Sequence, residues 1–214
     1  MFILNQTPSI AGNLIIELRD ENLQKDRRRF RDNLTQLGYL LGYEISKSLS
    51  FTSQEIQTPL AKTSENALGS KLVLVCMMRA SLPFYQGFLK CFPNADSAFI
   101  GVKRVEGKMP EVEIDLGYLA SADINDKELI ICDPMLATGK SILETITQLL
   151  KVGSPSKIHL ASAFAAPEGI NLLKKELRIP FKFWLGSLEA GLNDKFYIVP
   201  GLGDAGDLAF GKKL

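Results

Sequence analysis

The sequence predicts an α/β fold, with a mostly parallel central sheet flanked by helices and an N-terminal helical extension. Short apolar runs of strand length recur after residue 70, segments of helical period lie between several of them, and a long amphipathic segment precedes them all. With 214 residues, 46% of them hydrophobic, the chain can bury the core of one domain. We expect a single domain over residues 1–214, with a helical arm at 1–70 and an α/β core at 71–214.

The N-terminal region is predicted to be helical between residues 25 and 50. Phe30, Leu34, Leu37, Leu41 and Ile45 recur at intervals of three and four residues, which places them on one face of a helix. The next segment, residues 51–70, is rich in Ser, Thr, Gln and Pro. This composition predicts a connecting loop with some short helix.

The remaining elements follow from an alternation of apolar runs and helical patterns. The runs predict strands buried on both faces, at residues 72–78, 97–102, 129–132, 158–165, 181–186 and 196–199. Helical patterns lie between several of them, at 82–91, 141–151 and 167–177. Parallel sheets bind ligands at the carboxyl ends of their strands, so the residues that follow each run are the candidates for a site.

Charge and hydropathy exclude several classes of protein. The 25 Lys and Arg residues are balanced by 24 Asp and Glu, so no broad cationic face is expected and a nucleic-acid partner is disfavoured. The longest apolar run, residues 72–78, is much shorter than the roughly 20 residues that cross a bilayer. The first residues lack the basic region of a secretory signal. We therefore expect a soluble, cytoplasmic protein with no membrane partner.

The cysteines and the single histidine are predicted to be structural. Cys76, Cys91 and Cys132 are odd in number and widely spaced, which indicates reduced thiols. No pattern of metal ligands is visible. His159 lies within an apolar run and is interpreted as a half-buried strand residue with no catalytic role.

The most informative segment is LIICDPMLATGKS, residues 129–141. An apolar strand ends in Asp133, and the turn that follows carries Thr138 and Ser141 beside a glycine at the start of a helix, where free amides can bind an anion. A carboxylate would repel a lone phosphate, so a ligand that also has hydroxyls or a bound cation, such as a sugar phosphate, fits better. An ordinary capped helix is an equally good interpretation of this segment alone.

Within this segment, PMLATGKS resembles the phosphate loop of nucleoside triphosphatases, GxxxxGK[ST]. Pro134 stands in place of the first glycine and supplies no amide, and the later strand at 158–165 does not end in an acidic residue that could hold magnesium. The triphosphatase interpretation is therefore disfavoured.

Arginines follow two other predicted strands. Arg79, beside the small residues Ala80 and Ser81, could hold a phosphate with two hydrogen bonds, although alone it is better interpreted as a surface residue. Arg104 begins the charged segment 104–115, which could be a mobile flap over a bound anion or merely a solvated stretch.

The C-terminal segment FYIVPGLGDAGDLAFG has glycines in the GxGxxG spacing of dinucleotide-binding proteins. After Gly206 the chain is too short for the helix, strand and acidic residue that such a site requires. A glycine-rich turn exposes its own N–H and C=O groups and could recognise the edge of a flat heterocycle. A simple turn explains the glycines but not the two acids among them, Asp204 and Asp207.

Three segments, DPMLATGKS, MRASLPFYQG and YIVPGLGDAGDLAFG, together resemble the uracil phosphoribosyltransferase family of the type I phosphoribosyltransferase fold. The resemblance covers nearly the whole chain, and GLGDAGD is its most specific part. It implies a pentosyltransferase of pyrimidine salvage that converts uracil and phosphoribosyl pyrophosphate to uridine monophosphate and diphosphate. It also implies Mg²⁺ bound through the donor and a homodimer or larger homo-oligomer.

The resemblance also implies a set of site residues. Those for phosphoribosyl pyrophosphate are Arg79, Arg104, Asp133, Pro134, Met135, Leu136, Ala137, Thr138, Gly139, Lys140, Ser141 and Asp204. Those for uracil are Ile198, Gly203, Asp204 and Ala205, and the catalytic residues are Asp204, Arg79 and Arg104. The sequence departs from the family pattern at Lys140 and Ser81, which replace frequent glycines, and at Leu208, which replaces a common arginine.

Two other functions stay open at this point. A phosphoribosyltransferase for a purine or orotate would share the donor site and differ only at the base. A catalytically silent regulator that senses nucleotides or binds RNA could use the same fold, although the balanced charge argues against an RNA-binding face.

Overall fold

The computed structural model describes residues 1–105 and 113–212, with only the backbone described at 102–105 and 113–116. The helices are α1 (Ala11–Arg19), α2 (Arg27–Ser46), α3 (Leu82–Cys91), α4 (Lys140–Val152), α5 (Pro167–Glu176) and α6 (Ala205–Phe210). The strands are β1 (Phe2–Ile3), β2 (Phe51–Gln57), β3 (Lys62–Leu68), β4 (Leu72–Met78), β5 (Asp96–Val105), β6 (Glu113–Ser121), β7 (Glu128–Cys132), β8 (Met135–Leu136), β9 (Lys157–Ala165), β10 (Phe181–Leu188), β11 (Gly191–Leu192) and β12 (Ile198–Val199).

A central sheet of eight strands confirms the predicted fold class. Its order is β1-β10-β9-β7-β4-β5-β6, with β8 pairing beside β9, and every pair is parallel except β5 with β6. Five of the six runs predicted as strands lie in this sheet, and helices cover both of its faces. Successive residues of β4 alternate between those faces: Leu74 and Cys76 pack into one core, Val73 and Val75 into the other.

The helices divide between the two cores. The first core contains Leu34 of α2 and Phe84 and Phe88 of α3, while the second contains Ile146 of α4 and Leu173 of α5. The amphipathic pattern at 25–50 therefore corresponds to α2, whose apolar face covers the sheet. Helix α1 and strand β1 were not predicted. β1 adds a parallel edge strand beside β10, and the Phe2 ring lies 5.5 Å from that of Trp184.

The prediction of a loop with short helix at residues 51–70 is wrong. β2 and β3 form an antiparallel hairpin, closed by a turn in which the Thr58 hydroxyl oxygen accepts hydrogen bonds from the amides of Leu60 and Ala61. Nearly every residue of the hairpin is exposed, and Leu60 at its tip is 96% exposed. Without a buried face the strands carry no apolar alternation, which is why the sequence pattern did not reveal them.

The prediction of a buried strand at residues 196–199 is also wrong. β12 is two residues long, pairs antiparallel with β11 and lies outside the central sheet. Only Ile198 is buried, whereas Phe196 and Tyr197 are about half exposed (50% and 46%). The aromatic residues that made the run look like a strand thus face outward.

The prediction that Arg104 follows a strand ending at residue 102 is wrong, because Arg104 lies within β5, where it pairs with Ile114 of β6. Its side chain and most of the proposed flap that follows it lie outside the described residues. The antiparallel strand β6 was not predicted, and its first residues, 113–115, were assigned to the charged segment.

The histidine is more buried than expected. His159 is fully buried on β9, where its Nε2 lies 2.8 Å from Glu128 Oε2 and its Nδ1 accepts a hydrogen bond of 3.0 Å from the Trp184 indole. Burial lowers its pKa and outweighs the opposing hydrogen bond to Glu128. These contacts lie at the amino ends of the strands.

The three cysteines are free thiols. Cys76 and Cys132 are buried, and burial raises the pKa of the Cys76 thiol to about 11, so that side chain stays protonated at neutral pH. Within the described ranges, no three His, Cys, Asp or Glu side chains cluster as a metal site would require. No helix in these ranges is both long and apolar enough to cross a bilayer.

Candidate active site

A cavity of about 210 Å³ lies at the carboxyl ends of the central strands. Two segments form most of its surface. The strand-end wall consists of residues 133–142, and the C-terminal wall consists of residues 195–206. Ala80, after β4, lies between them. The lining residues are Ala80, Asp133, Met135, Leu136, Ala137, Thr138, Gly139, Ser141, Ile142, Lys195, Phe196, Tyr197, Ile198, Gly203, Asp204, Ala205 and Gly206.

The strand-end wall is a loop fixed by tight packing. Gly139 has φ of +80°, which a glycine adopts without strain, and it ends the loop at the start of α4. A Cβ on Gly139 would stand 2.9 Å from the carbonyl oxygen of Gly169 at the start of α5. A Cβ on Gly169 would overlap the Ala137 carbonyl oxygen. The two glycines therefore allow the loop and α5 to touch along their backbones.

This wall offers hydrogen-bond donors to the cavity. The first helical hydrogen bond of α4 runs from the Leu143 amide to the Gly139 carbonyl (2.9 Å). The helical amides before Leu143 therefore have no acceptor within the helix. Thr138 and Ser141 add hydroxyls to the cavity surface. Amides and hydroxyls at a helix start suit a phosphate group.

Asp133 is held at the end of β7. Its amide donates to the Ala161 carbonyl (3.1 Å), and its Oδ1 accepts a hydrogen bond of 3.2 Å from the Met135 amide. These contacts place a half-buried carboxylate beside the phosphate-type donors. Such a pairing fits a ligand that carries hydroxyls or a cation as well as a phosphate.

The C-terminal wall is a glycine turn followed by the short helix α6. Gly201 and Gly203 have φ of +52° and +96°, conformations that glycine adopts readily. Asp204 caps α6, with its Oδ1 accepting a hydrogen bond of 2.9 Å from the Asp207 amide. Ile198, Gly203, Asp204 and Ala205 all line the cavity, opposite the strand-end wall.

Arg79 lies at the margin of this cavity. Its Nη2 is 3.6 Å from Asp207 Oδ1 and donates a long hydrogen bond of 3.4 Å to the Gly211 carbonyl. Its Nε–H is buried and has no hydrogen-bond partner among the described residues. The guanidinium thus lies next to the C-terminal wall, with its Nε–H unpaired among the described residues.

Besides Arg79, and apart from Arg104, whose side chain lies outside the described residues, two further predicted donor residues, Pro134 and Lys140, are not among those that line the cavity. Pro134 is buried, and its carbonyl accepts a hydrogen bond of 2.9 Å from the Phe164 amide. Lys140 is exposed, so its side chain does not crowd the loop. Ser81, another departure from the family pattern, is fully buried and donates to the Met77 carbonyl.

The structure adds three lining residues that sequence reasoning missed, Lys195, Phe196 and Tyr197. Asn193 organises this turn because its Oδ1 accepts hydrogen bonds of 3.0 Å from the amides of Lys195 and Tyr197. Lys195 is the single cation among the cavity-lining residues, all of which belong to the described ranges. An Asn followed by two exposed aromatics is a turn signal, but nothing in the sequence places it over the cavity.

The mostly parallel sheet and the strand-end loop define the class of the protein as an α/β protein with an anion-type site at the carboxyl ends of its strands. The chain belongs to the uracil phosphoribosyltransferase family, since the family model described as uracil phosphoribosyltransferase matches residues 4–212.

Individual relatives agree with this membership. The chain is 39% identical over 206 residues to a uracil phosphoribosyltransferase of Porphyromonas gingivalis, covering 96% of this chain and 95% of that protein. It is 35% identical over 202 residues to a uracil phosphoribosyltransferase of Pyrococcus furiosus, covering 93% and 85%. The solved structure of AQ2163 protein from Aquifex aeolicus superimposes with a TM-score of 0.87 at 32% identity, covering 99% and 98%.

Proposed function

We propose that this chain transfers the 5-phosphoribosyl group of phosphoribosyl pyrophosphate to N1 of uracil, which yields uridine monophosphate and diphosphate. The bond from ribose C1 to the diphosphate oxygen breaks, the bond from C1 to N1 forms, and N1 loses its proton. The observation that carries this proposal is that a phosphate-type loop and a glycine-rich turn line the same cavity. A nucleoside monophosphate requires both features, one for each end.

The strand-end wall is proposed to hold the ribose 5-phosphate. The amides at the start of α4 and the hydroxyls of Thr138 and Ser141 would surround the phosphate, and Asp133 would accept hydrogen bonds from the ribose hydroxyls. Met135, Leu136, Ala137 and Gly139 contribute the backbone of the loop. Pro134 and Lys140 would support the loop from outside the cavity.

Arg79 is proposed to stabilise the diphosphate as it leaves. Its cationic charge beside the C-terminal wall suits an anion whose negative charge grows as the C1 bond breaks. Arg104 is proposed for the same anion, on the basis of the resemblance. Asp133 and Asp204 both line the cavity, which fits a Mg²⁺ ion that arrives bound to the donor and supplies further positive charge to the diphosphate.

The C-terminal wall is proposed to recognise uracil. Ile198 and the segment from Gly203 to Ala205 would hydrogen-bond to the base through backbone groups, which fixes the donor and acceptor pattern that the base must match. Asp204 would either support the positive charge on the ribose or assist the loss of the N1 proton. Cytosine carries an amino group where uracil has a carbonyl, so a main-chain amide that faces this position would be left unpaired.

The test is to mix the protein with phosphoribosyl pyrophosphate, Mg²⁺ and one base at a time, and to measure diphosphate release. Uracil should support turnover, while cytosine, orotate and the purines should be at least about 100-fold poorer in kcat/KM. Comparable turnover of cytosine would contradict the proposed recognition. Turnover with a purine or orotate alone would establish a different phosphoribosyltransferase, and no turnover with any base would favour a silent regulator.

Assembly and location are proposed from the resemblance alone. A homodimer or larger homo-oligomer is expected, and sedimentation equilibrium would measure it. A cytoplasmic location and the absence of a nucleic-acid partner stay predictions.

A further inference from the structure

A buried carboxylate stands behind the C-terminal wall, outside the set of residues proposed to touch the substrates. Glu189 follows β10 directly, and its side chain is 1% exposed. Arg19 of α1 donates to both of its oxygens, with Nη2 2.6 Å from Oε1 and Nη1 2.8 Å from Oε2. The Ser187 hydroxyl also donates to Oε1, and the Gly201 amide donates to Oε2 at 3.1 Å.

These contacts keep Glu189 ionised inside the protein. Burial alone raises the pKa of this carboxyl, but the hydrogen bonds from Arg19, Ser187 and the Gly201 amide outweigh burial and lower it. Because the Glu189 amide also donates to the Ala165 carbonyl (2.8 Å), the carboxylate is anchored to the central sheet. A buried carboxylate that accepts four hydrogen bonds is held in one position.

The hydrogen bond from the Gly201 amide to Glu189 fixes the start of the glycine turn. Gly201 adopts φ of +52°, and a Cβ there would overlap the Ile198 carbonyl oxygen, so the turn is narrow at this residue. Two residues later the chain reaches Gly203, which lines the cavity together with Asp204 and Ala205. A change in the position of the Gly201 amide would therefore move the backbone groups that face the base.

The strand-end wall depends on different contacts. Its Leu136 amide donates to Ser162 Oγ (3.0 Å), and its loop packs against Gly169. Neither contact involves Glu189 or Arg19. Arg19 does lie over the Phe164 ring (4.8 Å), and the Phe164 amide donates to the Pro134 carbonyl of this wall, so a change at the Glu189 carboxyl perturbs the C-terminal wall more selectively than a change at Arg19.

We propose that Glu189, held by Arg19, is a positioning residue for base recognition: it sets the glycine turn through the Gly201 amide and does not touch the substrates. This inference rests on the proposed function. It predicts that weakening the Glu189 contacts lowers the affinity for uracil while the affinity for phosphoribosyl pyrophosphate is kept.

The experiment compares Glu189→Gln with Glu128→Gln by steady-state kinetics, varying each substrate in turn. Glu128 is a matched control because its partly buried carboxylate also accepts hydrogen bonds, from His159 and Ser70, but at the amino ends of the strands. In Glu189→Gln we expect the KM for uracil to rise about tenfold, with kcat and the KM for the donor within about twofold of wild type. In Glu128→Gln all three should stay within about twofold.

Unchanged KM for uracil in Glu189→Gln would overturn the inference. So would a parallel rise of both KM values, or a loss of kcat alone, because each of these indicates a general structural effect. If Glu189→Gln does not fold, Arg19→Lys is measured instead, since it retains the positive charge and loses the paired hydrogen bonds. The same outcomes then apply. Failure of the proposed function would appear separately, as absence of uracil turnover in the wild-type protein.

Discussion

The two walls of the cavity are positioned by different kinds of structure. The strand-end wall leaves β7 within the central sheet and packs backbone to backbone on α5, whereas the C-terminal wall lies outside that sheet and is tied to it through the Glu189 carboxylate. Packed backbone tolerates little displacement, while a wall held by side-chain hydrogen bonds can shift when one of them weakens. The comparison suggests that donor binding is sensitive to steric change and base binding to electrostatic change.

The largest effect is expected at Arg79, which lies beside the C-terminal wall. Replacing Arg79 by alanine removes the cation proposed to stabilise the leaving diphosphate, so kcat/KM should fall by about 100-fold or more. Initial rates of diphosphate release measure it. Arg178→Ala is the control, since Arg178 is exposed and donates only to the Lys175 carbonyl. Wild-type turnover in Arg79→Ala would remove Arg79 from the mechanism.

The second largest effect is expected where the backbone of the strand-end wall is packed against α5. In Gly169→Ala the new Cβ would overlap the Ala137 carbonyl oxygen and stand 3.1 Å from the Gly139 nitrogen, so the loop must move. We expect the KM for phosphoribosyl pyrophosphate to rise about 30-fold and the KM for uracil to change much less. Gly12→Ala is the matched control, because no atom lies within 4 Å of its added Cβ. Equal increases in both KM values would show that the walls are coupled.

A smaller effect is expected from the cation of the C-terminal wall. Lys195→Met removes the positive charge from the cavity lining and retains most of the side-chain length. The KM for phosphoribosyl pyrophosphate should rise about threefold at low salt, and the difference from wild type should shrink as salt increases. Kinetics at two salt concentrations would measure this. A salt-independent rise would indicate a steric cause, and no rise would show that Lys195 does not face the donor.

The smallest effect concerns the buried histidine far from both walls. The pKa of His159 is lowered in the folded protein, so the unfolded chain binds its proton at higher pH. The stability contribution is therefore complete above the usual value of 6.5 and is lost as pH falls below it, by at most about 1.4 kcal/mol per pH unit. Urea unfolding of wild type and His159→Gln at pH 7 and pH 5.5 checks this. An equal loss of stability in both proteins would assign the effect to other groups.

Whether an element could be predicted from the sequence depended on what that segment packs against. Strand β4 and helix α3 were predicted with their observed bounds, because an apolar run and a three-to-four spacing record burial directly. The hairpin β2–β3 was missed since it is exposed on both faces. The loop 133–141 could be identified because the chemistry of a helix start is local in sequence.

Other parts of the site could not be predicted because they join distant residues. Arg19 and Glu189 are separated by 170 positions, and neither belongs to a recognisable motif. Lys195 reaches the cavity through the turn that Asn193 closes, and an exposed lysine in a loop is ordinarily solvated. Such contacts join residues that are far apart in the sequence, so they can be identified only from the structure.

The separation between Arg19 and Glu189 also has a consequence for biosynthesis. The helix that carries Arg19 leaves the ribosome 170 residues before its acidic partner, so during that interval this ion pair cannot form. Strands β4, β7 and β9 can associate during translation, whereas the glycine turn can be secured only when the final segment emerges. The wall proposed to bind the base is thus completed after the strand-end wall.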